Sequence, residues 1–161
     1  MLKWLWLSGL VIVLDQVSKW LMASWLSLYE SVAVMPFFNL TMAHNTGAAF
    51  SFLAQAGGWQ RWFFVSFTAM ICLGLFVWLK KLNVNAKLEA VAISLILGGA
   101  LGNVIDRFYH GYVIDFLDVY YGSYHWPAFN IADSAIVIGA ALLIIDSFRS
   151  KSKPDLQQDR P

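Results

Sequence analysis

Two short segments carry acids where hydrolytic chemistry is possible. VIDF (113–116) holds Asp115, and FNIADS (129–134) holds Asp133, eighteen residues further on and at the head of an apolar run. Two carboxylates held a few ångströms apart cannot both ionise cheaply, so they tend to share one proton. One then serves as base to a water molecule while the other donates to a carbonyl oxygen. That is peptide hydrolysis with neither metal nor covalent intermediate. Each acid also has a plainer reading. Asp133 stands three residues after Asn130, the arrangement of a capping box at a helix start, and Asp115 taken alone is a solvated loop acid.

Other polar residues stand out because their surroundings are apolar. In GGALGNVIDR (98–107), Asn103 and Arg107 are four residues apart and share a helix face, whereas Asp106 lies on another. Gly98, Gly99 and Gly102 permit close helix approach. In DQVSK (15–19), Asp15 and Lys19 form an i,i+4 pair that either neutralises itself or leaves Asp15 to support a neighbouring site by hydrogen bonds. Ionisable groups at membrane depth cost about 3 kcal/mol each, so they usually mark function. Asp106 and Asp118 are expected to be non-catalytic. His44, His110 and His125 are scattered, and the single cysteine, Cys72, sits in an apolar run. No metal and no cofactor is expected from them, and neither a GxSxG nor an HExxH motif is present.

These groups must be positioned by elements in a membrane. The chain has 161 residues, 59% apolar and 13% charged, with a mean hydropathy of +0.60, far from a soluble composition. No basic patch interleaved with aromatics suggests nucleic acid. A bilayer core of about 30 Å takes about 20 apolar residues as a helix, and four segments qualify, at 4–26, 60–79, 88–107 and 130–148. The first could be a cleaved signal peptide, but its pattern continues past Asp15 and Lys19, so a retained span is expected. Lys3, Lys80, Lys81, Lys87, Arg149, Lys151, Lys153 and Arg160 gather on one side, against Arg61 and Arg107 on the other. Both termini are therefore expected in the cytoplasm. The two outer connections read as extended: Phe38, Leu40 and Met42 alternate with polar or small residues, with Pro36 at a strand edge, and YVIDFLDVYY is β-branched and aromatic. The fold class is an all-α membrane protein with four transmembrane helices and a small extracytoplasmic β-region. One domain spans 1–149, and residues 150–161 form a polar cytoplasmic tail.

DQVSK (15–19), NTGAAFS (45–51), GGALGNVIDR (98–107), VIDF (113–116) and FNIADS (129–134) occur in the order of one family's motifs and cover nearly the whole chain. In these the sequence resembles the lipoprotein signal peptidases (signal peptidase II). The resemblance implies an aspartic endopeptidase of the bacterial cytoplasmic (inner) membrane with its site at the extracytoplasmic face. Its substrates would be diacylglyceryl-modified prolipoproteins, cut just before the lipidated cysteine, and membrane lipid its other partner. The resemblance implies Asp115 and Asp133 as the catalytic pair, with Asp15, Asn45, Asn103, Arg107 and Asn130 shaping or supporting the site. Arg107 is expected to hold local structure rather than enter the chemistry. A monomer is expected. The alternative is a small proton- or ion-coupled transporter, which would want its acids near the bilayer midplane and a repeat symmetry that is not visible here.

Overall fold

A computed structural model describes residues 1–47 and 58–151, without the side chains of Ser150 and Lys151. The stretch AAFS within NTGAAFS, and most of the expected cytoplasmic tail, lie outside the described residues.

A 3-10 turn at Leu2–Trp4 leads into α1 (Leu5–Trp25). Two strands follow, β1 (Ser31–Met35) and β2 (Phe38–Asn45), then α2 (Trp59–Lys81) and α3 (Lys87–His110). After α3 come β3 (Val113–Tyr121), β4 (Tyr124–His125) and α4 (Ile131–Lys151). Four helical segments, including one that joins the N-terminal turn to α1, are long and apolar enough to cross a membrane. The third was expected to end at residue 107 but runs to His110. It stops there because Gly111 takes a left-handed φ of +84° and donates its N–H to the Arg107 carbonyl at 3.1 Å.

The central element is α3. Its most apolar stretch is 56% buried, against 17–22% for the other three helices, because α1, α2 and α4 all pack on it. The glycine cluster makes this possible. A Cβ at Gly98 would lie 2.8 Å from the Ser8 carbonyl oxygen on α1, and one at Gly99 would collide with the Ala132 carbonyl on α4. At the far end Cys72, Leu79, Ile93 and Leu97 form a buried cluster between α2 and α3. The outward faces of α1 and α2 present Leu10, Val13, Leu14, Phe63, Phe67 and Met70, as lipid contact requires.

The strands form an antiparallel sheet in the order β1-β2-β3-β4. Pro36 occupies the turn between β1 and β2 rather than a strand edge, and Phe37 beside it has a φ of +71°. Leu26, Met42 and Ile114 form a second buried cluster that seats the sheet on the end of α1. Pairing of β2 with β3 sets Ala43 opposite Asp115 and Asn45 opposite Val113. This register carries the second connection's acid to the same place as the first connection's asparagine.

Candidate active site

Asn130 begins α4 as a reciprocal cap. Its Oδ1 accepts the Asp133 N–H at 2.9 Å, and its own N–H donates to Asp133 Oδ2 at 3.3 Å. The capping reading of Asp133 is thus correct, and it does not exhaust the residue. Asp133 Oδ1 also accepts Asn103 Nδ2 from α3 at 2.8 Å. The fully buried Asn130 amide donates to Asp115 Oδ1 at 2.7 Å, the Ile114 carbonyl at 3.2 Å and Asn103 Oδ1 at 3.2 Å. Asn45 Nδ2 donates to Asp115 Oδ2 at 3.1 Å. Asp115 and Asp133, from different elements, are therefore joined through the amides of Asn130 and Asn103, while Asn45 holds Asp115 from β2. Each of the three amides both donates and accepts.

Asp115 is 3% exposed. Burial first, and then the charge of Asp133, push its carboxyl up to about 7, against the opposing hydrogen bonds from Asn45 and Asn130 and the charge of Lys19. A carboxyl that holds its proton near neutrality beside a second acid is what a shared-proton pair requires.

Beneath this layer lies a polar cluster in the helix packing. Lys19 Nζ reaches Asp15 Oδ2 at 2.8 Å, Asp106 Oδ2 at 2.9 Å and Asn103 Oδ1 at 3.0 Å, so each of its three donors has an acceptor. Gln16 Nε2 donates to Asp106 Oδ1 at 2.8 Å and to Asp15 Oδ2 at 3.2 Å. Asp15 Oδ1 accepts the Ala132 N–H at 2.9 Å, and Asp106 Oδ2 accepts the Ile114 N–H at 3.1 Å. Both readings of Asp15 hold: it pairs with Lys19, and it fixes the first turn of α4. The sequence does not mark Lys19, Gln16 or Asp106 as site residues. Asp106, expected on another face of the helix from Asn103, meets the same Lys19 Nζ as Asn103 because residues three apart are neighbours on a helix surface. The missed signal was a buried lysine facing one neighbouring acid with a second acid near the end of another apolar helix.

Arg107 donates to the Gly47 carbonyl at 2.8 Å, holding the chain just after β2 against α3, and its guanidinium lies 5.2 Å from the centre of the Phe64 ring. A cavity of about 760 Å³ opens beside the two acids. His44 and Asn45 of β2, Asn103 and Arg107 of α3, and the 126–129 segment form its polar and aromatic sides, and Ile136, Val137 and Ile138 of α4 form an apolar wall. Among the described residues no group of three or more His, Cys, Asp or Glu is arranged to hold a metal ion. Asp118 faces away from Asp115, on the other side of β3.

The model of the signal peptidase (SPase) II family matches residues 7–149. The chain belongs to the signal peptidase II family. It is 59% identical to the lipoprotein signal peptidase of Alteromonas mediterranea over 152 residues, which is 94% of this chain and 84% of the relative. It is 54% identical to that of Aeromonas hydrophila over 156 residues, 96% of this chain and 93% of the relative. Among solved structures it is similar to a bacterial membrane enzyme with a TM-score of 0.85 and 36% identity, covering 98% of this chain and 94% of that one. This signal peptidase II is therefore an enzyme, a peptidase, and the transporter alternative falls. Its four apolar helices fit a multi-pass protein of a bacterial membrane.

Proposed function

We propose that this peptidase removes the signal peptide from diacylglyceryl-modified prolipoproteins, cutting just before the lipidated cysteine, with Asp115 and Asp133 as its catalytic pair. The observation that carries the reading is the asparagine-linked pair of acids at the side of a cavity with an apolar wall. A membrane-embedded signal helix delivers its scissile bond at the bilayer boundary, where polar catalytic groups and an acyl-accepting surface must meet. The residues at 1–149 act as one domain. Both termini face the cytoplasm, the site faces the extracytoplasmic side of the inner membrane, and the enzyme works as a monomer.

In the reaction, the pair begins with one proton, held chiefly by Asp115. Asp133, fixed by Asn103 and the Asn130 N–H, takes a proton from the attacking water as its oxygen bonds to the scissile carbonyl carbon. Asp115 gives its proton to the carbonyl oxygen, so the tetrahedral intermediate is neutral. On collapse, Asp133 protonates the leaving nitrogen and Asp115 recovers its proton from the gem-diol hydroxyl. The pair ends as it began. Asp15 and Arg107 act from below and beside, holding α4 and the end of β2 in place.

The test is cleavage of a diacylglyceryl-modified prolipoprotein by the purified enzyme in detergent, with chelator present. Asp115→Asn and Asp133→Asn should each lose at least about 10²–10⁴-fold in rate while remaining folded. Asp146→Asn, far along α4 from the cavity, should cut normally. Near-normal activity in either of the first two variants would remove the pair from the chemistry.

A further inference from the structure

The chain segment that closes the cavity between β3 and α4 is tied down by two side chains that the proposed chemistry does not use. β4 is two residues long and pairs with β3 only through Tyr120↔His125 and Tyr121↔Tyr124, a ladder too short to be stable by itself. Residues 126–129 then pass along the cavity before reaching Asn130. His125 Nδ1 lies 2.8 Å from Asp118 Oδ1 and 3.1 Å from Oδ2, and its ring stacks on Tyr120 with centroids 5.2 Å apart. The buried Asp118 also accepts Asn39 Nδ2 at 3.0 Å and Thr41 Oγ1 at 3.2 Å, both from β2. One carboxylate therefore gathers β2, β3 and β4 on the side of the sheet opposite Asp115.

From this geometry we infer that Asp118 and His125 are positioning residues for substrate binding, holding the 126–128 part of the cavity wall against the sheet. The inference rests on the function proposed above. Burial raises the Asp118 carboxyl, but hydrogen bonds from His125, Asn39 and Thr41 bring it below the usual carboxylate range. It is thus ionised at neutral pH, and an ionised acceptor shortens and strengthens each bond it takes. The tie acts on the wall rather than on the acids because Asn130 is held independently. Phe129 exchanges backbone bonds with β3, its N–H to the Leu117 carbonyl at 3.0 Å and its carbonyl to the Leu117 N–H at 2.8 Å. The Asn130 side chain adds its own bonds to Asp115 and Asn103.

His125→Ala should raise KM for the lipid-modified substrate by about five- to tenfold, the equivalent of one net hydrogen bond, with kcat within about twofold of the parent enzyme. His125→Asn, whose amide nitrogen stands where Nδ1 stands, should restore KM. His125→Gln, whose amide reaches the Nε2 position instead, should not. Backbone amide exchange without substrate gives a readout that needs no turnover: the Trp126 N–H, bonded to the Val119 carbonyl at 2.8 Å, should exchange about fivefold or more faster in His125→Ala, with β2–β3 amides unchanged. An unaltered KM, a fall in kcat alone, unaltered exchange at Trp126, or equal behaviour of the Asn and Gln variants would each overturn the inference. The last comparison stands even if the alanine variant does not fold. If the parent enzyme cuts no lipid-modified substrate, the proposed function fails, and the exchange measurement still decides whether the tie exists.

Discussion

The Lys19 ammonium on α1 lies 2.9 Å from the Asp106 carboxylate on α3, with both side chains 2% exposed. Its second ion-pair partner is Asp15 at 2.8 Å, so a single cation bridges two acids in the helix packing. Removing one partner of a buried ion pair leaves an uncompensated charge and costs about 3–5 kcal/mol. Lys19→Met should therefore lower thermal stability in detergent by that order and reduce cleavage, since Asn103 Oδ1 loses its Lys19 donor as well. Lys80→Met, exposed at the other end of α2, should change stability by less than about 0.5 kcal/mol. A Lys19→Met protein that melts with the parent would show that the cluster does not need its cation.

A pH dependence follows from Asp115. Its carboxyl is raised from 3.8 to about 7, so the native state favours the protonated form more than the unfolded chain does. Its contribution to stability is then fully present below pH 4 and is lost as pH rises through 7. Asp115→Asn lacks this dependence, so its melting temperature relative to the parent should climb between pH 4 and pH 7 and then level off. In the parent, kcat/KM should fall above about pH 7 as the shared proton is lost, tenfold per pH unit at the limit. A melting difference flat across that range would remove the raised carboxyl, and a rate still rising at pH 9 would remove the requirement for its proton.

What could be read from the chain follows the range of the interactions concerned. The four apolar helices, the cap formed by Asn130 and Asp133, and the alternation around Phe38, Leu40 and Met42 are written in residues a few positions apart, so hydropathy and spacing suffice. The meeting of Lys19 with Asp106 is not local. It depends on how closely α1 crosses α3, which Gly98 and Gly102 permit but do not specify. The tie of Asp118 to His125 was equally hidden, because an acid and a histidine seven residues apart meet only once Gly122, at a φ of +61°, turns the chain between β3 and β4. In the sequence Ile136, Val137 and Ile138 read only as part of the fourth apolar span, not as the wall of a cavity. That they form one depends on α4 leaving one side uncovered beside the two acids.

The two glycines at the ends of this range make opposite predictions. A Cβ at Gly102 would stand 2.6 Å from Asp15 Oδ2 and 3.4 Å from the Ala132 side chain. Asp15 cannot step aside, because Lys19, Gln16 and the Ala132 N–H hold both its oxygens. Gly102→Ala should thus push α1 from α3, costing about 1–3 kcal/mol as overpacking does, and should lower cleavage by disturbing the first turn of α4, where Asp133 sits. Gly9, in the interior of α1, has nothing within 4 Å of the same added atom. Gly9→Ala should leave cleavage unchanged and stabilise the helix by about 0.5–1 kcal/mol through reduced backbone freedom. Thermal melts and initial rates of the two variants side by side check both. Equal stability in Gly102→Ala and Gly9→Ala would mean that α1 and α3 are not held as closely as the Asp15 contact requires.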